Sequence, residues 1–119
     1  VFAVDKTPVE LTGVDFVREV NHSMAPGGLY ILNCGDGPSL DGARAEVAAL
    51  FEVFEQVCLV ADAAMLKGRR RGNIIIAASH SPLPAAGSAE AAAISRTLMG
   101  GGVPAQYRDS AQTRQFARL

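Results

Sequence analysis

Between residues 12 and 24 the apolar positions Phe16, Val17, Val20 and Met24 recur at helical spacing, which leaves one face apolar and predicts an amphipathic helix. Thr12 can cap its first turn, Asp15 puts an acid near the free amides, and Leu11 can staple against Phe16. Pro26 stops the helix, and Gly27-Gly28 permit a tight reversal into the nearly continuous apolar run Leu29 to Cys34. Such a run predicts a strand covered by helices on both faces. Asn33 to Leu40 is a Gly-, Asp-, Pro- and Ser-rich loop, with Ser39 or Asp41 as the cap of a second helix. That helix is expected over about 42–55, because Val47, Leu50, Phe51 and Phe54 fall at i, i+3, i+4 and i+7 while Arg44, Glu46, Glu52 and Glu55 take the other side. Val57 to Ala61 and Asn73 to Ser79 read as two further strands. The connection between them is short and shows no clear crossover helix, so the two strands must pair antiparallel or leave the sheet.

After Ser81-Pro82-Leu83-Pro84 the chain becomes Ala-rich, with Ser88 as a cap for a helix ending near Met99, where three glycines stop it. Residues 103–119 are polar and weakly amphipathic, with Tyr107, Phe116 and Leu119 as the large apolar groups. They read as an appended helical segment that packs on the sheet edge or on a partner. The expected organisation is an α/β unit over 1–82 and an Ala-rich linker with a helical tail over 83–119. At 119 residues and 49% hydrophobic, the chain can bury one modest core. Val1-Phe2-Ala3-Val4 reads as the tail of a buried strand that began earlier, so the chain is expected to be a piece of a longer protein. A sheet cut in this way leaves unpaired strand groups and apolar surface, which predicts a homo-oligomer.

Charge and special residues narrow the function classes. A formal net charge of −1 gives no reason to expect nucleic acid or a membrane surface as partner. With no apolar run of about 18 residues and no basic-then-apolar leader, the expected location is the cytoplasm. Cys34 and Cys58 sit in apolar runs and read as isolated buried thiols. His22 and His80 have no Cys or carboxylate at ligand spacing, so no metal is expected. Arg69-Arg70-Arg71 reads as a solvated turn, and Ser79-His80-Ser81 lacks the elbow glycines of a hydrolase. Gly35-Asp36-Gly37 and Gly100-Gly101-Gly102 do not lie between a first strand and its helix, so no cofactor is expected on this chain.

The run Pro8-Val9-Glu10-Leu11-Thr12 through Pro26-Gly27-Gly28, the strand and acidic helix after it, and Gly72-Asn73 opening the last strand resemble the C-terminal half of spermidine synthase-like proteins, over about residues 1–82. The resemblance implies the class I S-adenosylmethionine-dependent methyltransferase fold. This chain would then be the C-terminal half of a Rossmann-like sheet, with parallel strands, an antiparallel last strand and a helical tail. It also implies an aminopropyltransferase of polyamine biosynthesis, acting on a small-molecule amine, whose longer parent uses decarboxylated S-adenosylmethionine or S-adenosylmethionine.

Matched residue by residue, the family's catalytic aspartate falls one position before Val1, and Ala3 and Val4 stand where its Asp-x-Ser-Asp-Pro motif has the second aspartate and the proline. The glutamine after the family's fifth strand matches Asn33, and its Pro-Thr-Tyr segment has no match in Asp62-Ala63-Ala64-Met65-Leu66. Ligands of open α/β sheets lie beyond the carboxyl ends of the strands. Asp5, Glu10, Asn33 and Asp36 are therefore the rim candidates for substrate, with Pro8 and Leu11 in a loop crossing the same surface. Three function classes stay open: the substrate-side fragment of an aminopropyltransferase, inactive alone; a fragment of a class I small-molecule methyltransferase; and a non-catalytic assembly domain with the Ala-rich tail as interface.

Overall fold

Pro26 and two glycines turn the chain between its first helix and first strand in a computed structural model that describes residues 13–37, 40–69, 71–100 and 105–119, with only the backbone at Asp36. Helix α1 runs over Val14–Ser23 and begins at Gly13 without a side-chain cap, so the Thr12 cap and the Leu11 staple lie outside the described residues. Gly27 adopts a φ of 76°, which a side chain would strain, and a Cβ at Gly28 would lie 2.9 Å from the Ala25 carbonyl oxygen. Only glycines suit this corner.

Strand β1 (Tyr30–Asp36) follows, then α2 (Asp41–Phe51), β2 (Gln56–Ala61), a single turn α3 (Ala63–Leu66) and β3 (Gly72–Ser79). The remaining elements are α4 (Ala89–Met99), β4 (Gln106–Arg108) and α5 (Ser110–Phe116). The four strands form one sheet in the order β1-β3-β2-β4. The short connection between β2 and β3 does force an antiparallel pair, with Val57 opposite Ala78 and Leu59 opposite Ile76. Strand β3 also pairs antiparallel with β1, and β4 antiparallel with β2. The expected parallel strands are therefore not observed among the described residues: β1 and β2 run the same way, but β3 lies between them. The tail is also only partly helical, since β4 adds a strand at the β2 edge.

Burial sorts the sheet into two unlike faces. Leu32, Cys34, Val57, Leu59, Ile74, Ile76 and Ala78 point to one side, where Val17 of α1, Ala43, Val47 and Leu50 of α2, and Met65 of α3 complete the core. Fully burying each Leu or Ile here contributes about 1.5–3 kcal/mol. On the other side Ile31 is 59% and Ile75 40% exposed, so the helices of the described chain do not cover both faces of β1 and β3 as expected. Helix α4 packs on β4, at the opposite edge of the sheet. Cys34 and Cys58 are buried and are not in a disulfide.

Local caps follow the sequence at three of the later helices. The Asp62 carboxylate accepts from the Met65 amide at 2.9 Å, and the Ser88 hydroxyl accepts from the Ala91 amide at 3.1 Å. Asp109 and Gln112 form a reciprocal capping box on α5, and the second Asp109 oxygen accepts from the Ala86 amide at 2.8 Å. Helix α2 departs from this pattern. Its N-cap is the buried Leu40, held in the left-handed region at φ 62° with no side-chain cap, while Asp41 is the first helical residue. A buried leucyl side chain filling the core takes precedence over cap chemistry there.

Candidate functional site

Strand β1 carries both candidates that fall within the described residues. Asn33 is the fourth of its seven residues and sits opposite Ile75, so it does not end the strand as expected. Pairing with β3 continues through Gly35 and Asp36 to Asn73 and Gly72, and this carries the strand three residues further. Alternation puts Asn33 on the same face as Ile31, the open side of the sheet. Its Oδ1 is buried and has no hydrogen-bond partner among the described residues. A carbonyl oxygen left so costs about 1–3 kcal/mol, and it is an acceptor ready for an N–H or ammonium donor. Asp36 closes the strand at the carboxyl end, about 10 Å further along at the usual rise per residue. Asp5, Pro8, Glu10 and Leu11 lie outside the described residues.

Past Asp36 the chain enters α2 through Gly37, where an added Cβ would meet the Arg71 guanidinium at 3.5 Å. A side chain of the protein thus occupies the space over this glycine.

At the other end of β1 the polar groups are engaged in structure. The Ser79 hydroxyl donates to the Gly28 carbonyl at 3.0 Å and accepts from the Ser81 amide at 3.0 Å. His80 Nε2 donates to Asn21 Oδ1 at 2.8 Å, and its ring packs on Phe54 with centroids 4.9 Å apart. This network joins α1, the Gly27-Gly28 corner and β3. Among the described residues no cluster of His, Cys, Asp or Glu is arranged to hold a metal ion. No helix of the described residues is long and apolar enough to cross a membrane.

One acidic residue stands where periodicity was not expected to place it. Glu46, assigned to the polar side of α2, is 1% exposed, and both its carboxylate oxygens are without a hydrogen-bond partner. Burial pushes its carboxyl up to about 7, and its charge raises the neighbouring Tyr30 phenol further above the level that burial alone sets. The signal was present in the spacing. Ala43, Glu46, Val47 and Leu50 fall at i, i+3, i+4 and i+7, so Glu46 occupies a core position of the helix by geometry.

The thiol chemistry is quiet. Burial pushes the Cys58 thiol up, despite hydrogen bonds that act the other way. Tyr107 is raised strongly by burial, then by Cys58 and Asp109 beside it, and its hydroxyl donates to the Pro84 carbonyl at 2.7 Å. These two residues hold the β2–β4 edge and the Pro84 loop together rather than offering a nucleophile.

No family model matches the chain, and no curated protein does. Among solved structures it is similar to a probable spermidine synthase from Corynebacterium glutamicum ATCC 13032, at 51% sequence identity and a TM-score of 0.94. The match covers 98% of this chain and 42% of that one, so the chain spans well under half the length of its neighbour. Along nearly its whole length the chain is spermidine synthase-like, and it corresponds to part of such a protein.

Proposed function

We propose that the chain is the substrate-side part of a spermidine synthase-like aminopropyltransferase and that it is inactive alone. The 51% identity to a probable spermidine synthase across 98% of the chain carries this reading. In the parent, the amine nitrogen would attack a carbon bound to a sulfonium, and the sulfur would leave with the bonding electrons as a thioether. A carboxylate must take the amine proton, and other polar groups must hold the remaining ammonium ends. Asn33 supplies a buried acceptor for one of these, and the sequence offers Asp5, Glu10 and Asp36 as acids for the others, with Pro8 and Leu11 as further substrate contacts. Decarboxylated S-adenosylmethionine, or S-adenosylmethionine, would be held by other parts of the parent's Rossmann-like sheet, since this sequence has no glycine-rich loop between a first strand and its helix. Self-association through the open face around Ile31 and Ile75 and a cytoplasmic location belong to the same reading.

Calorimetric titration of the chain with either sulfonium compound should show no saturable binding. A micromolar dissociation constant would overturn the assignment of the nucleoside site to the rest of the parent. The departures at Ala3, Val4 and Asn33 favour a second reading, a class I methyltransferase acting on another small molecule. Methyl transfer without aminopropyl transfer by the parent would establish it.

A further inference from the structure

Beside the carboxyl end of β1 stands a cation that the proposed reaction does not use. Gly72 opens β3 opposite Asp36, and one step beyond that pair the same register sets residue 71 beside Gly37. The Arg71 side chain lies over this glycine, with Nη2 3.5 Å and Cζ 3.8 Å from the point where a Cβ of residue 37 would stand. Ligands of open α/β sheets gather at this end of the strands. A guanidinium is therefore placed on the rim, just past Asp36.

The backbone that presents it is held on both sides. The Gly37 carbonyl accepts from the amide of the buried Leu40 at 3.1 Å. On the other strand a Cβ at Gly72 would meet Met65 Sδ at 3.3 Å, so this glycine leaves room for a methionine that is fully buried under the rim. Ahead of it, α3 closes with the Lys67 amide on the Ala63 carbonyl at 3.0 Å and the Arg69 amide on the Ala64 carbonyl at 2.9 Å. Arg71 itself is exposed. Among the described side chains the one ion pair is Arg18 with Asp15, on α1, and no carboxylate pairs with Arg71.

We propose that Arg71 selects an amine substrate that also carries a carboxylate and disfavours a plain diamine, an inference that rests on the reading that this strand end receives the amine. A diamine would bring its second ammonium against a guanidinium, whereas a carboxylate accepts two parallel N–H bonds from the planar fork. One guanidinium balances one negative charge, which favours a carboxylate over a phosphate dianion. The acids that the sequence offers, Asp5, Glu10 and Asp36, suit the amine end of the same molecule.

Calorimetric titration of the intact parent with γ-aminobutyrate and with putrescine tests this, because the two probes share an amine and a butane skeleton and differ in the second end group. Wild type is expected to bind γ-aminobutyrate more tightly. Arg71→Gln should weaken γ-aminobutyrate about tenfold without weakening putrescine, and Arg71→Lys should restore part of the loss. Arg69→Gln removes an equal charge from an exposed position on the same connection and should leave both affinities unchanged. Because Arg71 is exposed, its variants should unfold at the wild-type midpoint. The proposal is overturned if putrescine binds wild type as tightly as γ-aminobutyrate, if neither binds, if folded Arg71→Gln keeps the wild-type ratio, or if Arg69→Gln shifts that ratio as much. Aminopropyl transfer to the probes is read separately. No transfer together with an Arg71-dependent affinity ratio sinks the aminopropyltransferase reading and leaves the role of Arg71 standing; transfer to putrescine with a ratio indifferent to Arg71 does the reverse.

Discussion

Replacing Glu46 with glutamine tests whether a buried, partnerless carboxyl governs how stability depends on pH. In the folded protein burial raises this group from an ordinary value of 4.5 to about 7, so between those two pH values the native state holds a proton that the unfolded chain has released. Stability is then fully present below about pH 4.5 and falls as pH rises, until the carboxyl has ionised in both states above about 7. The loss corresponds to about 3 kcal/mol, and the 1% exposure of Glu46 leaves little solvent to reduce it. Tyr30, Cys58 and Tyr107 are also raised, from ordinary values of 10, 9 and 10, and stay protonated throughout this window. Glu46→Gln keeps the shape and removes the charge. It should match wild type near pH 4.5 and exceed it by up to about 3 kcal/mol at pH 8 in urea unfolding followed by circular dichroism. If wild type loses no stability between pH 4.5 and 8, or if Glu46→Gln loses as much as wild type, the carboxyl is already paired or solvated and the reasoning is refuted.

In the intact parent, Asn33→Ala should weaken amine substrate binding about tenfold to a hundredfold, as expected for a lost hydrogen bond to a charged amine, and leave the unfolding midpoint nearly unchanged. Binding like wild type, or loss of the fold, would make Asn33 structural. Asp109→Ala removes the α5 cap and strands the Ala86 amide, and should cost about 2–3 kcal/mol in chemical denaturation; a loss below about 0.5 kcal/mol would show that water replaces both bonds.

The fold was legible wherever local periodicity and tertiary demand coincide. Ser88 and Met99 bound α4 as expected because a hydroxyl cap and a glycine stop act locally. The three main strands were legible because their apolar runs are nearly continuous. Gln106-Tyr107-Arg108 gave no strand signal, since three residues become a strand only by pairing with Leu59, Val60 and Ala61. Glu46 was misplaced because its charge, rather than its position on the helix, decided its side. For the candidate site, Asn33 was recognisable as a polar residue in an apolar run, but its distance from the strand end was not. Where β1 stops is decided by β3, whose register extends to Gly72.

The position of β3 between β1 and β2 has a bearing on biogenesis. Among the described strands, β1 and β2 share β3 as their neighbour, so neither can form that ladder until residues 72–79 have left the ribosome. Each nascent chain therefore carries the β3-facing edges of two apolar strands unpaired through that window, and the two ladders close together when β3 arrives. Stalling or cleavage before residue 72 would release a product in which β1 and β2 lack their shared partner, a natural client for holding chaperones. Completion of a single strand joins β1, β3 and β2 into one three-stranded unit, to which β4 later adds at the β2 edge.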